Sequence, residues 1–71
     1  MKWINCEERL PDKLREVLCH TDDSKKWRIG FFEDGTWFDD DTGEVIGYTQ
    51  KSIDGYIEKV EGVMHWTPLP P

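Results

Sequence analysis

The sequence predicts a mainly β fold: one small single-domain antiparallel sheet or partly open barrel of roughly four to six strands, with at most one short helix. Three observations lead there. Segments of strand length alternate with turn-forming residues along the whole chain. Strict two-residue alternation flanks Asp34-Gly35. And 71 residues make one domain, 1–71, close to the lower size limit for folding alone. A chain this small buries only about 60% of the surface its unfolded form exposes, so it depends on large side chains. Four Trp, three Phe and two Tyr supply them, each removing roughly 150–250 Å² from water when buried.

The first strand is expected over Lys2 to Cys6. Pro11 pushes Leu10 toward an extended conformation and marks a bend rather than a helix. Glu16 to Thr21 reads as the next strand, ended by a polar turn at Asp22-Asp23-Ser24. Then comes the central hairpin. Trp27, Ile29 and Phe31 alternate with Lys26, Arg28, Gly30 and Phe32. Asp34-Gly35 suits a two-residue type I′ turn, because Gly tolerates the positive φ required there. That turn sets Glu33 opposite Thr36, Phe32 opposite Trp37 and Phe31 opposite Phe38. Trp27, Ile29, Phe31 and Phe38 then share one face, and Arg28, Phe32 and Trp37 the other, which is taken as the accessible one.

Asp39 to Gly43 reads as an acidic turn and Glu44 to Tyr48 as another strand. Thr49 to Gly55 is ambiguous, with its polar residues and Asp54-Gly55 favouring a loop. Tyr56 to Val60 and Val63 to Thr67, separated by Glu61-Gly62, are expected to form a closing hairpin; one helical turn over Tyr56 to Val60 is the alternative. If that hairpin pairs, His65 is a neutral imidazole held by a hydrogen bond to Glu58.

A net charge of −6 repels phosphate backbones and argues against non-specific nucleic-acid binding. No run approaches the roughly 20 apolar residues of a membrane span, and the first residues lack the apolar stretch of a secretory signal. A cytoplasmic location, without membrane partners, is the resulting expectation. Cys6 and Cys19 form neither a Cys-x-x-Cys motif nor a disulfide-dense pattern, so two free, partly buried thiols are expected.

The chain closes on Val63-Met64-His65-Trp66-Thr67-Pro68-Leu69-Pro70-Pro71. Prolines 68, 70 and 71 favour an extended tail. Trp66 and Leu69 are expected to pack inward with Trp3 as neighbour, because a marginal core can ill spare a Trp. With Trp3-Ile4 and Glu8-Arg9-Leu10-Pro11, this ending resembles the domain of unknown function 551 family. Its small proteins, common in tailed phages and prophages, open with Trp-Ile/Val and Glu-Arg-Leu-Pro and close with His-Trp-x-Pro-Leu-Pro. The resemblance implies a phage-type protein, working in the host cytoplasm if phage-encoded. It brings no general activity with it. Met64 and Thr67 stand where Thr and Met are frequent, and Asp39 to Lys59 carries weaker resemblance.

Metal and cofactor sites are not expected. Cys6, Cys19, His20 and His65 lack the close spacing of zinc ligands, and Asp39-Asp40-Asp41 with Asp34 lacks EF-hand spacing. No Gly-x-Ser-x-Gly, Walker loop or His-Glu-x-x-His appears, and a chain of this size has little material for a water-excluding cleft. The expectation is therefore a binding protein rather than an enzyme. Its candidate ligand-binding residues are Arg28, Phe32, Trp37, Lys26 and His20. An arginine beside two aromatic rings suits a planar ring that carries negative charge, through stacking and charge-assisted hydrogen bonds. Sequestration of a nucleotide-derived host signal, against host defence, fits that chemistry, with a homo-oligomer sharing the site. The alternatives are an inhibitor that docks a host protein through its acidic or aromatic surface, a small-nucleotide hydrolase using His20 or His65, and a component of the phage particle.

Overall fold

The central hairpin forms in the register its turn dictates. In the computed structural model, which describes residues 2–12, 15–21 and 27–69, Phe31 opposes Phe38, Phe32 opposes Trp37 and Glu33 opposes Thr36. Asp34 and Gly35 both take positive φ, 48° and 82°, as a type I′ turn requires. The expected Asp22-Asp23-Ser24 turn, Lys26, Pro70 and Pro71 lie outside the described residues.

Seven strands, one more than the expected upper bound, make one antiparallel sheet: β1 (Ile4–Asn5), β2 (Val17–Thr21), β3 (Trp27–Glu33), β4 (Thr36–Asp39), β5 (Val45–Lys51), β6 (Ile57–Glu61) and β7 (Val63–Pro68). The spatial order is β1-β7-β2-β3-β4-β5-β6, and the sheet curls into a half-barrel. No described residue is helical, so Tyr56 to Val60 is not a helical turn; none of the described segments is a helix long and apolar enough to cross a membrane. The opening strand shrinks to two residues because Asn5 turns the chain: its carbonyl accepts from the Glu8 and Arg9 amides and its side chain from the Glu7 amide. Conversely, β5 runs on through Lys51, so the first part of the ambiguous 49–55 stretch is strand and only its remainder is loop.

The expected closing hairpin does not form. β6 pairs with β5, whereas β7 pairs with β1 and β2. Gly62, at φ +80°, is a corner where one long segment leaves one part of the sheet for the other. A Cβ there would lie 2.3 Å from the Ile46 carbonyl oxygen, and one on Gly47 would lie 2.7 Å from the Val63 nitrogen. The early part of β5 and the β6–β7 corner thus meet backbone to backbone, which only glycine permits. Because β7 lies between β1 and β2, His65 opposes His20 and does not pair with Glu58.

The core lies on the inner face of the curl. Cys6, Val17, Cys19, Trp37, Val63 and Trp66 are buried together, with Ile4, Leu10, Phe32, Ile46 and Val60 packed against them. Arg28 shares that face, since it opposes Cys19. The face assignment of the hairpin is therefore the reverse of the expectation: Arg28, Phe32 and Trp37 point inward, while Trp27 and Ile29 point outward and stand 58% and 43% exposed. Space explains the inversion. Gly30, on the inner face, would bring a Cβ within 2.5 Å of the Phe38 carbonyl oxygen and 3.1 Å of Cys19 Sγ, so the side with room for only a hydrogen is the crowded one. Pro68 fits in β7 because it is that strand's last residue, beyond the reach of β1.

Candidate functional site

Three of the five expected ligand-binding residues are committed to other contacts or to the core. Trp37 is fully buried, and its Nε1–H donates to Thr49 Oγ1 at 3.0 Å. Arg28 is half-buried and paired with Asp39, Nη1 to Oδ2 at 3.2 Å. Asp39 also accepts the Asp41 and Thr42 amides on Oδ1. Those backbone donors first, then Arg28, hold its carboxyl below the usual carboxylate range, against the opposing effect of burial. Phe32, half-buried, tilts against Trp37 with ring centroids 5.0 Å apart. The structure therefore brings Arg28, Phe32 and Trp37 together on one face, as the alternation requires, but as core and core edge. His20 lies on the outer face, and Lys26 falls outside the described residues.

Of that trio, Phe32 reaches an open depression. It lines a groove of about 520 Å³ with Arg9, Leu10, Lys51 and the acidic residues Glu8, Glu33 and Asp34. Three carboxylates against two cations make this groove a poor seat for an anion.

A different residue organises the surface next to it. The turn at Asn5 brings Arg9 against β7, where its carbonyl oxygen accepts the Trp66 Nε1–H at 2.8 Å across 57 residues of sequence. The Arg9 guanidinium stands over the Trp66 ring, 5.6 Å from its centre, a separation at which the ring's negative face attracts the cation. The two motifs from opposite ends of the chain thus clasp each other. Trp66 packs inward as expected, 4% exposed, and Leu69 is half-buried. Trp3 is not its neighbour: Ile4 opposes Trp66, and Trp3 stands on the outer face beside His20 and Trp27, with ring centroids 5.9 and 6.3 Å away.

Against the clasp lies a second depression of about 300 Å³, formed by Arg9, Leu10, Pro11, Asp12, Arg15 and Trp66 together with Pro68. Among the described residues its charged groups are two arginines and one aspartate, a local positive balance in a chain of net charge −6. Arg15 contacts Asp12 at 3.9 Å, both well exposed, a pairing weak enough to leave the guanidinium competent for a stronger anion. Arg9 makes no ion pair among the described residues. Sequence reasoning missed Arg9 and Arg15 because the contact that defines them joins the two chain ends. The available signal was that Arg9 sits inside one terminal motif and Trp66 inside the other.

The remaining chemistry-bearing groups are less suited to react. Cys6 and Cys19 are free and fully buried, and burial pushes both thiols up to about 12, far from the thiolate range needed for nucleophilic attack. No group of three or more His, Cys, Asp or Glu suited to a metal ion occurs among the described residues.

The sequence pattern of the family described as "Protein of unknown function (DUF551)" matches residues 2–71. Neither a curated protein nor a solved structure matches the chain. The chain belongs to that family.

Proposed function

We propose that this member of the family is a non-catalytic binding protein that sequesters a small anionic host molecule, of the nucleotide-derived signal class, in the depression between Arg9, Arg15 and the edge of Trp66. The observation that carries this reading is the Arg9 guanidinium, standing over Trp66 with no carboxylate partner among the described residues, beside a second arginine in an acidic protein. Two guanidinium groups give a phosphate planar, bidentate donors, and the indole edge and Pro68 offer an apolar wall. The depression sits at the lower end of the size range for small-molecule sites, roughly 300–1,000 Å³. This keeps the aromatic/arginine chemistry but moves it from Arg28, Phe32 and Trp37 to Arg9, Arg15 and Trp66. A role against host defence, for a phage-type protein in its host's cytoplasm, is part of the same proposal.

Titration calorimetry of the protein against mono-, di- and cyclic nucleotides tests it. Binding of at least one ligand is expected, weakened by Arg9→Ala at least tenfold, since a hydrogen bond to a charged group is worth about 1.5–3 kcal/mol. The substitution spares the carbonyl that holds Trp66, so the fold is retained. The bound ligand should be recovered unchanged, which separates sequestration from hydrolysis. No binding across the panel, or binding indifferent to both Arg9→Ala and Arg15→Ala, overturns the reading.

A second reading rests on the outer face, where Trp27, Ile29, Val45 and Tyr48 are exposed and Phe31 stacks on Phe38 at 5.3 Å. Aromatic groups on an accessible sheet face are a recognised basis for protein docking. Self-association through it is expected to show as a dimer in native mass spectrometry that Trp27→Ala dissociates. A monomer at micromolar concentration removes that reading.

A further inference from the structure

The outer face of β2 and β7 holds a feature that neither the core nor the arginine depression uses. His20 and His65 are directly opposed across the two antiparallel strands, with ring centroids 6.0 Å apart and planes inclined at 49°. Both are half-buried. With Trp3 they line an open depression of about 220 Å³. Neither imidazole makes a hydrogen bond or an ion pair among the described residues, so the ring nitrogens of both are available.

We propose that His20 and His65 form an open two-histidine site for a divalent transition metal of the copper(II) or zinc(II) class, placed under the wall of Trp3. Directly opposed residues of an antiparallel pair hold their Cβ atoms about 4.5–5.5 Å apart, on a backbone fixed by the β2–β7 ladder. Two imidazoles sharing one metal, with metal–nitrogen bonds of about 2.0–2.1 Å, stand roughly 5–6 Å apart centre to centre. The observed 6.0 Å is at the upper edge of that span, so small side-chain rotations bring one nitrogen of each ring onto a common ion. Imidazole suits copper and zinc among the common biological cations, and copper(II) binds it most strongly of the divalent first-row ions. With no third protein ligand among the described residues, the other coordination positions belong to water or to a small exogenous ligand. The site is independent of the arginine depression: His65 and Trp66 are successive residues of one strand and point to opposite faces.

The chain contains two histidines in all, which makes the test direct. Copper(II) ions alone, titrated into the protein, should quench tryptophan fluorescence saturably at micromolar concentrations, because Trp3 stands 5.9 Å from His20. His20→Gln and His65→Gln are each expected to weaken that binding at least tenfold, and the double variant to abolish it. Since a variant at this half-buried position could unfold, the wild-type protein carries a second measurement. Stoichiometric zinc ions should shift the ring C–H resonances of both histidines in the NMR spectrum. The inference is overturned if no saturable quenching occurs, if a folded double variant binds copper as the wild type does, or if the imidazole resonances ignore zinc. None of these outcomes bears on nucleotide binding at Arg9.

Discussion

Replacing Thr49 by Val probes the inverted hairpin face more sharply than any change to the tryptophan itself. The two side chains have nearly the same shape, so packing is preserved and only the hydroxyl is lost. Thr49 is 2% exposed and Trp37 fully buried, and the Trp37 Nε1–H donates to Thr49 Oγ1 at 3.0 Å. Losing the acceptor strands an indole N–H where water cannot reach it, which costs about 1–3 kcal/mol. In a domain of this size each kcal/mol is worth roughly 4–8 °C in Tm, so a fall of about 4–24 °C is expected. Urea and thermal unfolding, followed by tryptophan fluorescence and far-UV circular dichroism, read it directly. Trp27→Ala, on the exposed outer face, serves as the control and should stay within about 0.5 kcal/mol of wild type in the monomer. If Thr49→Val unfolds at the wild-type midpoint, the indole is solvated, Trp37 is not core, and the assignment of inner and outer faces is wrong.

Other expectations follow from the same geometry. Gly62→Ala suffers twice, from its φ of +80° and from a Cβ 2.3 Å from the Ile46 carbonyl oxygen, whereas Gly43→Ala at φ +77° meets nothing within 4 Å. The second should cost about 1–2 kcal/mol, and the first clearly more in the same urea titration; equal effects would remove the argument for a backbone-to-backbone corner. Cys6 and Cys19 should resist a thiol reagent in the native protein and react on unfolding. Because both are raised in the folded state from 9.0 to about 12, their contribution to stability is complete below pH 9 and is lost as pH rises from there toward 12. Rapid native labelling at pH 8 would contradict this. Asp39 shifts the other way: its folded value lies below 3.8, so it favours folding above that pH, and the contribution vanishes as acid titrates the folded carboxyl. Asp39→Asn should accordingly flatten the acid limb of the stability curve; an unchanged limb would show that the turn amides and Arg28 do not hold the charge.

The hairpin was legible because a two-residue turn fixes register, and register fixes every cross-strand pair from Gly30 to Asp39. Which side faces inward was not carried by alternation, since Trp27, Ile29 and Phe31 alternate as apolar a set as Phe32 and Trp37. Two residues did hold the answer. Gly30 shares its face with Arg28 and Phe32, and a glycine within a strand marks close backbone approach. Asp39 opposes Gly30, which places a carboxylate beside Arg28 on that face and forecasts their pairing. The β6–β7 separation was illegible for a different reason: a positive φ at Gly62 serves a tight turn and a sheet corner equally well, and the choice between them depends on β2, some forty positions earlier. Arg9 was hidden in the same way. Its role exists through Trp66, and nothing local to Glu8-Arg9-Leu10-Pro11 says that the far end of the chain returns to it.

The four tryptophans supply four indole N–H reporters, and a ¹H–¹⁵N correlation spectrum recorded during titration with the nucleotide panel reads them together. Binding at the clasp predicts that the Trp66 indole and the Arg9 and Arg15 amides move saturably while the Trp37 indole, closed inside the half-barrel, holds its position. Movement led by Trp37, or a spectrum in which no resonance responds to any ligand, would contradict the placement of a binding site at Arg9.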